Sequence, residues 1–252
     1  MSQLGIVIFF SLIGSVFSLI GGFILLTSKK SAVKLATLAT PFAAGALLAA
    51  AFVDLLGEAS ENGEASEALV WTMIGILVFF LLERFLRWFH HHHEHEDHKT
   101  DPNTSLIIIG DTLHNFIDGV AIAAGFLTSI EVGIIVTIAV AAHEIPQEIG
   151  DFGLLLSKGL SRKKVVIVNL VSALVTVLAA AIFYSIGQKA SLPDAIITGL
   201  VAGFFIYIAV SDIIPSIHKH EERKLAGVQT LMLILGVVLV SALTISLHQL
   251  IP

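Results

Sequence analysis

The chain contains no cysteine, and this absence limits the chemistry that it can support. Disulfide bonds and thiolate metal sites are both excluded. Any metal ion that the chain binds must therefore be held by imidazole, carboxylate or amide groups.

Charged residues are also scarce. They make up 13% of the 252 residues, against about 25% in a typical soluble domain, whereas hydrophobic residues make up 56%. Most of the surface must therefore face lipid, which excludes a soluble globular protein. Because a helix needs roughly 20 apolar residues to cross a bilayer, we predict an all-α, polytopic membrane protein with one transmembrane domain over residues 1–252. Its eight helices are predicted near residues 4–26, 35–56, 68–89, 104–127, 131–156, 164–187, 194–217 and 227–250.

The basic residues indicate the orientation of these spans. With eight spans, 13 of the 14 Lys and Arg residues fall on one side, and only Lys189 lies on the other. The positive-inside rule makes the basic side cytoplasmic, so both termini are predicted to face outside. An odd number of spans would scatter these residues over both sides. We therefore expect a multi-pass protein of the cell (plasma) membrane.

The predicted outer loop between the second and third spans is acidic. It carries Glu58, Glu61, Glu64 and Glu67. These carboxylates have two interpretations, because they could gather cations near the outer surface or simply keep the loop solvated. The sequence leaves both open.

Two predicted spans contain several polar and ionisable residues each. A charge at the centre of a bilayer costs from about 2.5 to more than 10 kcal/mol, so it persists only when it is paired, hydrated or bound to an ion. Several such groups in each of two spans indicate a functional site. The residues are Asp111, His114, Asn115 and Asp118 in the fourth span and His143, Glu144, Gln147, Glu148 and Asp151 in the fifth.

The spacing places each set on one face of its helix. At about 100° per residue, the fourth-span set covers an arc of roughly 100° and the fifth-span set roughly 140°. His114 and Asp118 are four residues apart, as are Glu144 and Glu148, so each pair meets on one face. The short loop near Ser129 predicts that the two helices pack antiparallel. Their polar faces would then form a cage of nitrogen and oxygen ligands that suits zinc, iron or manganese.

Pro146 lies inside the fifth span. A proline removes one helical hydrogen bond, here to the carbonyl of Ala142, and kinks the helix. Transport proteins use such breaks to line a cavity within the membrane, although a simple proline kink is also common in membrane helices. We predict a helix bundle with kinked fourth and fifth helices.

Two stretches of the sequence resemble the ZIP family of divalent metal-ion transporters. HNFIDGVAIAAGF (114–126) is similar to the HNxxDG signature of the family's fourth helix. HEIPQEIGDFGLLLSKG (143–159) is similar to the fifth-helix signature HEIPHEIGDF of its LIV-1-like branch. The resemblance implies transport of a divalent transition metal towards the cytoplasm. Zinc is the favoured substrate, with iron, manganese and cadmium as alternatives. The resemblance also implies no enzymatic activity, no organic cofactor and no nucleic-acid partner, and it leaves a homodimer as one option.

By the same resemblance, six residues are metal ligands: His114, Asn115, Asp118, His143, Glu144 and Gln147. Gln147 stands where the LIV-1 branch has a histidine, and a neutral amide is a weaker ligand. Some family members bind a second metal with a carboxylate from the sixth helix, but Ser172 stands at that position and this span contains no acid. We therefore expect a single transport site.

Further residues are predicted to lie along the pathway. Asp111, Glu148 and Asp151 would relay metal or protons beside the main site, Asp54 would meet the ion at the outer end, and Asp212 would line the cytoplasmic exit. Asp212 could also simply lie near the membrane boundary. The predicted cytoplasmic loop at residues 90–103 adds a cluster of imidazoles that could receive the ions: His90, His91, His92, His93, His95 and His98.

Two other functions would use the same residues. HEIPQ (143–147) comes close to HExxH, in which two histidines bind zinc and the glutamate acts as a base. An intramembrane zinc metalloprotease is disfavoured because Gln147 replaces the second histidine and Pro146 distorts the spacing. A passive metal channel would share its ligands with a carrier, and saturable, slow flux would indicate the carrier, which is the mechanism that we favour. A third alternative is a sensor or storage protein built around the histidine-rich loop, and deletion of residues 90–98 would test it.

Overall fold

The computed structural model describes residues 2–92, 102–190, 193–218 and 223–250. These residues are almost entirely helical, and no strand occurs among them. Within these ranges, eight helices are long and apolar enough to cross a membrane, which confirms the predicted all-α, polytopic architecture and its number of spans. They are α1 (Gln3–Thr27), α2 (Lys29–Glu61), α3 (Ala65–His92), α4 (Pro102–Thr128), α5 (Ile130–Ser157), α6 (Arg162–Ala190), α7 (Asp194–His218) and α8 (Arg223–Leu250).

Single serines separate two pairs of helices. Ser28 lies between α1 and α2, and its hydroxyl accepts a hydrogen bond from the backbone N–H of Ser31. Ser129 lies between α4 and α5 and caps α5 in the same way through Val132. A serine cap satisfies an N–H group that has no partner within its helix. These short connections make α4 and α5 antiparallel neighbours, as the spacing predicts.

Three helices contain a turn of different winding. A 3-10 turn interrupts α1 at Val16–Leu19, and six-residue π-helical turns interrupt α2 at Ala50–Leu55 and α7 at Ile208–Ile213. The sequence analysis did not predict these turns. Pro146 lies inside α5, as predicted. Both α4 and α5 are α-helical along their whole length.

Glycines allow several helices to approach closely. A Cβ atom at Gly119 of α4 would collide with the carbonyl oxygen of Thr176 on α6. The same holds for Gly45 of α2 against the backbone of Leu233 on α8. Lipid is as apolar as the helices, so close van der Waals contact replaces the hydrophobic effect in holding membrane helices together.

Helix α5 is the most enclosed part of the bundle. It contacts α1, α2, α4, α6 and α8. Over half of the residues in its most apolar stretch are buried. Large hydrophobic side chains such as Leu81, Leu178 and Leu231 are exposed on other helices and form the outer surface of the bundle. Polar residues on α5 are therefore shielded from lipid by the surrounding helices.

Candidate metal centre

Four side chains from α4 and α5 converge inside the bundle. His114, Asp118, His143 and Glu144 each offer one ligand atom, and these atoms all lie within 4.8 Å of one another. Asp118, His143 and Glu144 are buried, and His114 is partly exposed to an internal cavity. Four of the six ligands implied by the family resemblance therefore lie together.

The distances between these atoms suit a shared ion. His114 Nε2 lies 3.2 Å from His143 Nε2, and His143 Nε2 lies 3.2 Å from Asp118 Oδ2. The remaining separations from His114 Nε2 are 3.8 Å to Asp118 Oδ2 and 3.7 Å to Glu144 Oε1. A tetrahedral zinc ion with ligands at about 2.0–2.1 Å separates its ligand atoms by about 3.3 Å. Small side-chain movements would complete such a site.

The environments of His143 and Glu144 favour binding of a cation. His143 Nδ1 lies 3.0 Å from the carbonyl oxygen of Ala139, and this contact fixes the ring so that Nε2 faces the other ligands. Both oxygens of Glu144 are buried and make no hydrogen bond to any described residue. A carboxylate in the interior of a membrane protein needs a partner, and a bound cation would supply one.

Asn115 is held by a different set of contacts. Its Nδ2 donates to Asp111 Oδ1 at 3.0 Å and to Ser172 Oγ at 3.3 Å, while its Oδ1 accepts from Thr176 Oγ1 at 2.7 Å. The amide oxygen, which is its one ligand atom, is therefore already engaged by a hydroxyl of α6. The role of Asn115 as a ligand stays a prediction.

A cavity of about 380 Å³ reaches His114 and His143, two of the four candidate ligands, from one end of the bundle. Its lining includes Thr40 in the N-terminal half of α2 and Ser216 near the end of α7. The cavity therefore opens towards the end of the bundle where α2 begins and α7 ends, which carries most of the basic residues. Several predicted pathway residues line it together with the ligands: Asp111, His114, His143, Gln147, Asp151 and Asp212.

The opposite side of the ligands is closed by apolar packing. Ile135, Val136, Ala139 and Val140 precede His143 on α5, and all four are fully buried. Interiors packed in this way leave few voids as large as a water molecule. The site is therefore accessible from one end of the bundle and sealed from the other.

The other predicted site residues lie at varying distances from this centre. Glu148 is buried beside it, and both of its oxygens make no hydrogen bond within the part of the chain that the structure describes. Asp54 lies on the C-terminal half of α2 and is not part of the centre. His90, His91 and His92 end α3, and His93, His95 and His98 lie outside the described residues.

Thr176, which holds Asn115 through its hydroxyl, was not predicted from the sequence as a site residue. The signal was present, because Thr176 follows Ser172 by four residues and must share its helix face. His248, whose ring contacts Glu58 near the other end of the bundle, was not predicted either. A single histidine near the end of an apolar span carries no comparable pattern.

Comparison with known proteins adds to this geometry. Zinc transporter ZIP10 of Mus musculus is 39% identical over 122 residues, which are 47% of this chain and 15% of that protein. Zinc transporter ZIP6 of Homo sapiens is 39% identical over 116 residues, 46% of this chain and 15% of the relative. Zinc transporter ZIP13 of Pongo abelii is 31% identical over 212 residues, 78% of this chain and 63% of the relative. The chain thus spans only part of the length of these relatives.

A sequence profile described as ZIP zinc transporter matches residues 3–106 and 102–244. This family consists of transporters and not of enzymes, which agrees with the expectation that the chain has no enzymatic activity and argues against the metalloprotease. Because the match covers nearly the whole chain, the protein belongs to the ZIP zinc transporter family.

Proposed function

We propose that this chain carries a divalent transition-metal ion across the membrane through a site formed by His114, Asp118, His143 and Glu144. Zinc is the substrate that we favour. The observation that carries the proposal is the convergence of two imidazoles and two carboxylates in the interior of two membrane-spanning helices. Imidazole and carboxylate ligands suit zinc and related ions. Membership of the family and the printed names of its relatives support the same substrate.

The transport site holds one ion in this proposal. Gln147 flanks the four ligands and lines the same cavity, so it would contact the ion on its way out or serve as a weak fifth ligand. A second ion would need Asn115 and an acid from α6. The oxygen of Asn115 accepts a hydrogen bond from Thr176, and Ser172 offers a hydroxyl in place of a carboxylate.

The ion moves towards the cytoplasm in this proposal, and both termini face outside the cell. The cavity that reaches the ligands opens at the end of the bundle that carries 13 of the 14 basic residues. That end is cytoplasmic by the positive-inside rule. Asp111, Asp151 and Asp212 line the cavity and would accept the ion as it leaves.

A carrier explains the closed outer side better than a channel does. An open channel needs a continuous path, whereas residues 135–140 of α5 include fully buried apolar side chains between the ligands and the outer end. Ions could reach the site from outside only after a rearrangement of the helices. Such rearrangement is the basis of alternating access in carriers.

Uptake measurements with ligand variants test this proposal. We expect His114→Ala and Glu144→Ala to abolish zinc uptake by proteoliposomes while the purified proteins remain folded. His218→Ala is the matched control, because His218 is exposed at the end of α7 and should leave uptake unchanged. Uptake at the wild-type rate by both ligand variants would overturn the proposal. Single-channel currents in planar bilayers would favour the channel.

A further inference from the structure

The end of the bundle that carries both termini holds a contact between two side chains of the types that can bind metals. Glu58 Oε2 of α2 lies 3.2 Å from His248 Nε2 of α8, and both side chains are partly exposed. His248 Nδ1 lies 2.9 Å from the carbonyl oxygen of Thr244, one turn earlier on α8. This contact orients the ring so that Nε2 faces the carboxylate, as metal-binding histidines are commonly oriented by a carbonyl on the other nitrogen.

Asp54 lies one helical turn deeper on α2. Its side chain has no exposed surface, and neither carboxylate oxygen has a hydrogen-bond partner in the described ranges. The charged groups around it are His248, Glu58 and Glu131 at the start of α5. The hydroxyl of Thr244 also lies beside it, and this hydroxyl likewise makes no hydrogen bond within the described residues. A buried carboxylate that lacks hydrogen bonds is costly, so its presence needs an explanation other than packing.

The local structure around Asp54 is also unusual. Asp54 is the fifth residue of the π-helical turn Ala50–Leu55, and Asp212 is the fifth residue of the π-helical turn Ile208–Ile213. Asp212 lines the cavity that leads to the central site from the cytoplasmic end. Single π turns within α-helices are frequently found at functional sites. A π-helical turn therefore carries one aspartate towards each end of the bundle.

The position of this group relates it to the central site. Glu131 and His143 lie on the same helix, twelve residues apart, which corresponds to about 18 Å along the helix axis. The fully buried side chains between them seal the two regions from each other. A cation bound near Asp54 would therefore be separated from the central site by this apolar packing. It would lie on the side from which ions enter in the proposed direction of transport.

We propose that Glu58 and His248 form an outer capture site for the divalent transition metal and that Asp54 receives the ion before the seal opens. The proposal rests on the proposed transport function and adds residues that act earlier in it. One imidazole and two carboxylates are the donor types that zinc prefers, and partial exposure lets water complete the coordination of a newly bound ion. The ion would supply the partner that the Asp54 carboxylate lacks.

The alternative is that Glu58 and His248 form an ordinary ion pair that fastens α8 to α2. Partly exposed pairs of this kind contribute about 0–1 kcal/mol to stability. Variants of either residue should therefore fold, and they separate the two explanations. Loss of a fastening would lower the amount of active protein, whereas loss of a capture site would weaken the apparent affinity for the metal.

Uptake kinetics provide the first test. We expect His248→Ala and Glu58→Gln each to raise the KM for zinc uptake by about tenfold, which corresponds to about 1.4 kcal/mol of binding free energy, with little change in the maximal rate. Glu61→Gln is the matched control, because it removes the same charge from an exposed residue at the end of the same helix. An equal rise in KM for Glu61→Gln would indicate general attraction of cations by the acidic loop and would overturn the proposal.

Thiol labelling provides a second test that does not depend on transport. Because the chain lacks cysteine, His248→Cys introduces its only thiol, which keeps a metal-binding group at position 248. We expect Cd²⁺ to slow labelling of this thiol by an impermeant maleimide, and added Glu58→Gln or Asp54→Asn to reduce the protection. Gln249→Cys, on the neighbouring exposed residue, should label equally with and without Cd²⁺.

The two proposals fail in different ways. If protection of His248→Cys persists when His143→Ala removes the central site, the outer site binds metal on its own. Protection without any metal uptake by the wild-type chain would contradict the proposed function and leave the outer site standing. Normal uptake with no Cd²⁺ protection and no change in KM would contradict only the outer site.

Discussion

His114 Nε2 and His143 Nε2 lie 3.2 Å apart, although 29 residues and a reversal of chain direction separate them. Two imidazole nitrogens at this distance can share either a proton or an ion. The presence of Asp118 and Glu144 within 4.0 Å of the pair adds two negatively charged ligands at the same point. A divalent cation balances that charge, whereas a shared proton does not, so the pair is best explained as half of an ion site.

Replacing one imidazole by a thiol should change the metal preference of this site. We expect His143→Cys to raise the ratio of cadmium to zinc uptake several-fold, because thiolate is a softer ligand than imidazole and favours softer ions. Competition between the two metals in proteoliposomes measures the ratio. Ser157→Cys, on the exposed end of the same helix, is the control and should keep the wild-type ratio. An unchanged ratio in His143→Cys would mean that His143 does not contact the transported ion.

An acid at position 172 should create a second metal site beside the proposed one. Ser172 is buried and accepts a hydrogen bond from Asn115, close to Asp111. Ser172→Asp would place a further carboxylate there, and an unpaired charge in the membrane interior costs about 2.5 kcal/mol or more. We expect this variant to unfold at a lower temperature than the wild type without metal and to gain more stability when zinc is added.

The comparison with Ser172→Asn separates charge from size. Asparagine has the shape of aspartate and no charge, so its stability should respond to zinc as the wild type does. Thermal unfolding in detergent, measured over a series of zinc concentrations, gives the comparison. Identical zinc responses in the aspartate and asparagine variants would show that no second site forms.

The hydroxyl of Thr176 should stabilise the protein through Asn115. Thr176 Oγ1 donates to Asn115 Oδ1 at 2.7 Å, and both side chains are fully buried. Thr176→Val keeps the shape and leaves the amide oxygen without this donor, which typically costs about 1–3 kcal/mol. We expect Thr176→Val to lower the thermal midpoint, while Thr176→Ser, which keeps the hydroxyl, stays closer to the wild type. A valine variant as stable as the serine variant would refute this role.

The number of spans and the convergence of four candidate ligands could be predicted from the sequence because both depend on strong local patterns. Apolar runs of about 20 residues define the spans, and polar residues spaced three and four apart identify the inner faces of α4 and α5. The π turns of α2 and α7 could not be predicted, since neither contains glycine or proline to mark a break. The contacts of Asn115 were missed for a different reason. They depend on the register between α4 and α6, which is set by close packing at Gly119 and not by any pattern within one helix.

The histidine-rich segment should be dispensable for transport. If the site between α4 and α5 performs the transport, its ligands do not include the histidines of residues 90–98. We expect a variant in which these six histidines are replaced by asparagine to keep zinc uptake within about twofold of the wild type, a change of less than about 0.5 kcal/mol. Uptake that falls to the level of Glu144→Ala would instead assign an essential role to the segment. The six replacements are made at His90, His91, His92, His93, His95 and His98.

Close contact between α4 and α6 should make Gly119 sensitive to the smallest side chain. A Cβ atom there would collide with the carbonyl oxygen of Thr176 and would lie 2.8 Å from the Cβ of Ala179. Overpacking of this kind typically costs about 1–3 kcal/mol, and backbone atoms of α6 cannot move aside as a flexible side chain can. We therefore expect Gly119→Ala to lower the thermal midpoint in detergent.

Gly110→Ala tests the same substitution on the same helix without the collision, because no atom lies within 4 Å of a Cβ at that position. Alanine is favoured over glycine in helices by about 0.8–1.0 kcal/mol, so this variant should be as stable as the wild type or slightly more stable. Gly119→Ala should thus lower the midpoint, whereas Gly110→Ala should leave it unchanged or raise it slightly. A gain in stability for Gly119→Ala would mean that α4 and α6 are farther apart than the structure places them, and that Asn115 is not held by α6.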